Sequence, residues 1–203
     1  MNGAHDGIAW LPESYSDEGF TVLFCAGETA EGLLRKLGAD GAAVRALSRE
    51  QAEAVDVFNR YQDESDLESA DLDREELQAD GFLVDGGEVA RVGEIAGWAY
   101  AIESFGAALT GREIVERASV GTRLVGFRRS GNAASWVTYA VDGRVVSSYD
   151  PLHPDQGSDG FVVEGLAEAA DPTGRVLEEL EAWGLGVPRS SDFEDLPAVR
   201  IRT

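Results

Sequence analysis

An α+β fold built on an antiparallel sheet is the architecture this sequence predicts, and three observations carry the prediction. Runs rich in β-branched and aromatic residues are joined by tight turns, Asp142-Gly143 above all and Asp85-Gly86-Gly87 before it, rather than by helical crossovers. Apolar residues recur at helical spacing elsewhere, as in Ala54, Val55, Phe58 and Tyr61, and again in Val176, Leu177, Leu180 and Trp183. No internal repeat is present. Together these place helices on one face of the sheet and at its ends, in a single domain over residues 1–203.

The elements follow in order. Residues 20–26, Phe-Thr-Val-Leu-Phe-Cys-Ala, read as a mostly buried strand. Thr29 then caps a short helix whose Leu33, Leu34 and Leu37 share one face and which Gly38 stops. Ser48 with Gln51 forms a capping box for a helix over 48–62. From 63 to 80 apolar residues are sparse and acids dense, so the segment reads as an exposed loop or frayed helix. Gly81 to Val84 and 88–103 give two or three antiparallel strands, with Gly93 and Gly97 marking a bulge or close backbone approach. Thr110 and Glu113 make a second capping box, for a helix ending near Gly121. Strands follow at 124–127, 135–141 and 144–149 as a meander. Val162, Val163, Leu166 and Ala170 form an amphipathic turn, Pro172 breaks it, and residues 186–203 are a tail or edge strand around Val199 and Ile201.

The 203 residues carry 38 Asp plus Glu against 17 Lys plus Arg, a formal charge of −21. A chain this long buries about 70% of the surface it exposes when unfolded, so it folds on its own. A surface this negative attracts neither nucleic acid nor an anionic membrane. The charge is uneven. Residues 53–80 hold eleven acids against Arg60 and Arg74, whereas 111–144 hold six arginines against three acids. No run approaches the roughly 18 apolar residues of a membrane span, and the N-terminus lacks the basic and apolar regions of a signal peptide. The one cysteine, Cys25, lies in an apolar run and reads as a buried strand residue. A cytoplasmic location is the expectation.

Chemistry is thinly represented. His5 lies near the terminus and His153 in a proline-bracketed turn, and neither has a histidine or cysteine at metal-ligand spacing. Gly27 to Gly32 lacks the lysine of a phosphate-binding loop, and no G-x-S-x-G elbow occurs. The Asp66, Glu68, Asp71, Asp73 and Glu75 series lacks the glycine of a calcium loop. No catalytic residue, metal or cofactor is therefore expected.

Several segments together are similar to a family of actinobacterial proteins classed as a domain of unknown function. They are Trp10-Leu11 with Tyr15, the 20–26 strand, the Leu33-Leu34 helix, the run Gly97 to Glu103, and Tyr139 to Gly143 continuing to Tyr149-Asp150-Pro151. The likeness spans roughly residues 8–185 and implies fold boundaries but no activity. The arginine-rich, single-lysine composition has the skew of GC-rich coding.

Two functional expectations result. The first is a non-enzymatic acidic protein that binds a basic protein, as an immunity-type or antitoxin-type inhibitor does, through Asp63, Asp66, Glu68, Asp71 and Asp73, since opposite charge steers association. The second is a small-molecule or enzymatic domain whose pocket beside the sheet is lined by Trp98, Tyr100, Trp136 and Asp150.

Overall fold

Eight strands join in one sheet in the computed structural model, which describes residues 7–16, 18–39, 43–156 and 160–202. They are β1 (Gly19–Ala26), β2 (Arg45–Leu47), β3 (Val89–Ile95), β4 (Trp98–Ser104), β5 (Arg123–Ser130), β6 (Ser135–Val141), β7 (Arg144–Tyr149) and β8 (Leu196–Arg200). Their spatial order is β2-β8-β3-β4-β1-β5-β6-β7, and every neighbouring pair is antiparallel. The helices are α1 (Leu11–Ser14), α2 (Ala30–Leu34), α3 (Arg49–Tyr61), α4 (Glu64–Ser69), α5 (Arg74–Ala79), α6 (Arg112–Ala118) and α7 (Pro172–Ala182). The α+β class and the antiparallel sheet are as the sequence predicts. His5 lies outside the described residues.

Local chemistry builds the hairpins. Asp142 and Gly143 both take positive φ, 48° and 76°, the geometry whose twist matches that of the strands it joins. The expected capping box of α3 is complete: Ser48 Oγ accepts from the Gln51 N–H and Gln51 Oε1 from the Ser48 N–H, each at 3.2 Å.

The helices cover both faces of the sheet, not the one face expected. The reason lies in β1, which sits between the β3–β4 and β5–β6 hairpins, buries seven of its eight residues and so needs cover on each side. On one face Phe20, Val22, Phe24, Trp98, Tyr100 and Phe127 pack against the N-terminal segment, Val163, Leu166 and the Val176, Leu177, Leu180 stripe of α7. On the other, Leu23, Cys25, Ala99, Ala101 and Leu124 meet Leu33 and Leu37 beside α2 and Ile114, Val115 and Ala118 of α6. A third cluster joins Val55 and Phe58 of α3 to Leu67, Leu77, Val89 and Ala198.

Three other expectations are corrected. Residues 81–84 form no strand, because the buried Asn59 side chain takes over the hydrogen bonds a partner strand would supply. Its amide donates to the Phe82 and Gly87 carbonyls and its oxygen accepts from the Val84 N–H, each at 3.0 Å. The Thr110–Glu113 capping box does not form: a 3₁₀ turn at Ala108–Thr110 occupies Thr110, whose hydroxyl donates to the Ala107 carbonyl, and Gly111 starts α6 instead. Finally, β8 is no edge or tail, since it lies between β2 and β3.

Gly93 is the close approach its position in the sequence predicts. A β-carbon there would collide with the phenol of Tyr100, its cross-strand partner, which is 2% exposed and has no room to move. Gly93→Ala is expected to lower stability by about 2–3 kcal/mol, read from urea unfolding.

Candidate functional site

The acidic segment is ordered. Between α3 and β3 the chain folds into α4 and α5, and its own aspartates start both helices: Asp63 accepts from the Ser65 N–H at 3.0 Å and Asp73 from the Glu76 N–H at 2.9 Å. The two Ser65 hydrogen bonds hold the Asp63 carboxyl below its ordinary pKa. Each helix is anchored by one leucine, Leu67 and Leu77, both in the α3 cluster. Arg74 pairs with Glu64 across the two helices, and Arg45 of β2 clamps Glu76 and Asp80 at 2.8 and 2.9 Å.

What remains is a ledge of carboxylates without counter-ions. Asp66, Glu68, Asp71 and Glu75 make no ion pair among the described residues; Glu68, Asp71 and Glu75 are exposed and Asp66 half-buried. Of the five acids the sequence singles out, Asp63 and Asp73 are thus helix caps, while Asp66, Glu68 and Asp71 make no ion pair among the described residues.

The aromatic pocket does not assemble. Trp98 and Tyr100 lie on the α7 face, buried at 6% and 2% exposure, with Arg123 over the Trp98 ring at 5.0 Å and Phe24 beside Tyr100. Trp136 alternates with the inward Val137 of β6 and so stands on the opposite face, 37% exposed, with Arg128 5.6 Å from its ring. Asp150 closes a turn, accepting from the Leu152 N–H at 2.9 Å, and the Asp150 carbonyl accepts from the N–H of the exposed His153. Alternation along the strands separates the two tryptophans, and no rearrangement of side chains brings them together.

Sequence reasoning missed a polar network centred on Arg49. Its Nε donates to Glu53 at 2.6 Å, one terminal nitrogen to Ser14 Oγ at 2.9 Å and the other to Glu18 at 3.3 Å, and its guanidinium lies 3.6 Å from the centroid of the Tyr15 ring. Asp192 accepts from the Ser14 hydroxyl at 2.7 Å, and the buried Arg91 donates to Tyr15 Oη and to the Ser191 carbonyl. Burial pushes the Tyr15 hydroxyl up to about 12. Beside the network opens a cleft of about 280 Å³ between Trp10 and the exposed Phe193. Ser14 and Asp192 are 178 positions apart, so no local pattern announces them.

Cys25 is buried as expected, and desolvation pushes its thiol up to about 12, which removes the thiolate that redox or nucleophilic chemistry needs. Among the described residues no group of three or more His, Cys, Asp or Glu is placed to hold a metal ion, and no helix is long and apolar enough to cross a membrane.

The chain belongs to the family of unknown function DUF6461, which matches residues 1–185. No curated protein and no solved structure matches it.

Proposed function

We propose that this chain is a non-enzymatic acidic binding protein, and that the α4–α5 ledge receives a basic protein in the manner of an immunity-type or antitoxin-type inhibitor. One observation carries the reading: uncompensated carboxylates are presented on and between two short helices that are capped, joined to each other by Arg74, tied to β2 by Arg45, and pinned to the core by Leu67 and Leu77. A solubilising charge run needs no such fixing, whereas a surface that meets a partner gains from it, because less ordering entropy is lost on binding. The −21 net charge adds a long-range field that accelerates encounter with a cationic protein. We further propose a cytoplasmic location in an actinobacterium, an origin whose GC-rich coding would account for the single lysine and sixteen arginines.

The test leaves the helices intact. Asp66→Asn, Glu68→Gln, Asp71→Asn and Glu75→Gln together spare both caps, and asparagine suits the positive φ of residue 71. Wild type and variant serve as baits in an extract of the source organism, and the association rate of the captured protein is then measured between 50 and 300 mM salt. A basic protein is expected on the wild type only, with the variant associating at least about tenfold more slowly and with a flatter salt dependence. Equal capture and equal rates would end the proposal.

A further inference from the structure

The two outer strands of the sheet, β7 and β2, are treated differently by the rest of the chain. Residues 160–163 return to pack against β7: Gly160 lies against the Val146 carbonyl, the Phe161 carbonyl accepts from the Ser147 hydroxyl, and the Val163 N–H donates to Tyr149 Oη at 3.1 Å. On the outer side of β2 no described residue makes a backbone hydrogen bond. An open strand edge is a template for a further strand, which is why folds usually cover it.

Register shows which groups β2 leaves open. Arg45, Ala46 and Leu47 lie opposite Ala198, Pro197 and Leu196 of β8. Pro197 has no N–H, so it cannot exchange a pair of hydrogen bonds with Ala46; the ladder bonds fall on the flanking pairs, and the Ala46 N–H and carbonyl point away from β8. Ala46 is exposed, as is Val44 two residues before it, at 45%.

Beside that edge lies a hollow of about 470 Å³, lined by Arg45, Ala46, Glu76, Ala79 and Asp80. Leu47 of β2 and Leu77 of α5 share one apolar cluster, so α5 lies under this face of the sheet and forms the floor of the hollow. Glu76, Ala79 and Asp80 occupy one side of that helix, where alternate side chains of a strand laid along β2 would rest. Arg45 divides one positive charge between Glu76 and Asp80, at 2.8 and 2.9 Å, which leaves the floor negative; the Glu76 side chain stays 65% exposed. At the other end of β2, the exposed Glu194 and Asp195 lead into Leu196 and make no ion pair among the described residues. A second copy pairing edge to edge across a two-fold axis would bring identical carboxylates together on chains of −21 each, so charge selects a cationic strand.

We propose that an extended, lysine- or arginine-rich segment of a protein partner adds to β2 beside the eight strands of the sheet, its backbone pairing with Ala46 and its cationic side chains meeting Glu76 and Asp80. This contact rests on the basic-partner reading and adds main-chain recognition to charge.

A fluorescein-labelled octapeptide of alternating lysine and threonine is the probe, titrated by anisotropy at low ionic strength. Its controls are the peptide with glutamate for lysine and the lysine peptide N-methylated at every backbone nitrogen, which keeps the charge and loses the donors. The lysine peptide is expected to bind the wild type with a Kd of about 1 mM or below and to slow exchange of the Ala46 amide hydrogen at least about tenfold, with both controls at least about tenfold weaker. Ala46→Pro removes a donor that points outward only, so it is expected to keep the melting temperature and to lose at least about tenfold in peptide affinity. No binding by the lysine peptide, equal binding by its N-methylated form, or an Ala46→Pro protein that binds as the wild type does would overturn strand addition. Should Ala46→Pro not fold, the three peptides on the wild type decide. The quadruple variant at Asp66, Glu68, Asp71 and Glu75 leaves β2, Glu76 and Asp80 in place and so tests the ledge alone. Weaker peptide binding by that variant, with Ala46→Pro unaffected, ends strand addition and spares the ledge; the reverse result ends the ledge and spares strand addition.

Discussion

Glu103→Gln is expected to stabilise the protein at pH 9 by on the order of 4 kcal/mol and to change it little at pH 5, so that urea midpoints of wild type and variant diverge as pH rises. The Glu103 carboxyl is 1% exposed and accepts the Leu109 N–H at 3.2 and 3.3 Å. Burial, with the charge of Glu88 second, lifts its pKa from 4.5 to about 8. Below about pH 4 the group is protonated in the folded and unfolded chains alike. Between 4.5 and 8 only the unfolded chain releases the proton, so each unit of pH costs the folded state roughly 1.4 kcal/mol. Above 8 the folded group ionises too and the penalty stays constant. Glutamine keeps an acceptor for Leu109 and cannot ionise. Asp56, whose carboxyl accepts the Val89 N–H at 2.8 Å, is also raised well above the carboxylate range by burial, so the variant retains a smaller slope of the same sign. A variant that loses stability between pH 5 and pH 9 as steeply as the wild type would show that Glu103 ionises freely in the fold.

The contrast between these acids and the α4–α5 acids shows how far sequence reading reaches. Short-range signals translated directly: Asp142-Gly143 made its hairpin and Ser48 with Gln51 made its cap, because both are settled by atoms within four residues of each other. The Thr110–Glu113 pattern has the same spacing and failed, since the preceding 3₁₀ turn claims the threonine hydroxyl first. Burial is a different matter. Glu103 and Asp56 are no less acidic in sequence than Glu68 or Asp71, and only the packing of α3 and of the Ala108–Thr110 turn against the sheet decides which are desolvated. The continuous apolar run of β1 did hold the clue that both faces are covered, because a strand with one wet face alternates. For the sites, the acidic ledge was legible as composition, its caps were not separated from its unpaired carboxylates, and the Arg49 network was hidden because it joins residues as far apart as Ser14 and Asp192.

Arg49→Met is expected to cost about 3 kcal/mol, the largest loss for a single change outside the apolar core. The side chain of Arg49 is 16% exposed, and those of Glu53 and Asp192, beside it, are 19% and 13% exposed. Methionine preserves the stem that packs near Tyr15 but withdraws every donor of the guanidinium. Glu53 is then left with the Ser104 hydroxyl at 2.7 Å, and Asp192 with the hydroxyls of Ser14 and Tyr15. Two partly buried carboxylates without a cation cost more than the lost pair gained, which is why breaking such a network is severe even where building it is nearly neutral. The damage also spreads along the chain, for Arg49 joins α1, α3 and the Arg189–Asp192 turn, and through Tyr15 it meets Arg91 of β3. Lysine at position 49 keeps the charge and loses the fork, so it is expected to recover about half. Adding Glu53→Gln to Arg49→Met removes one stranded charge and is expected to return roughly 1 kcal/mol, a coupling that a purely steric role for the arginine does not produce. Urea unfolding of the wild type, the two Arg49 variants, Glu53→Gln alone and the double variant measures it, and an Arg49→Met protein within about 1 kcal/mol of wild type would show that the network is solvated and carries no stability.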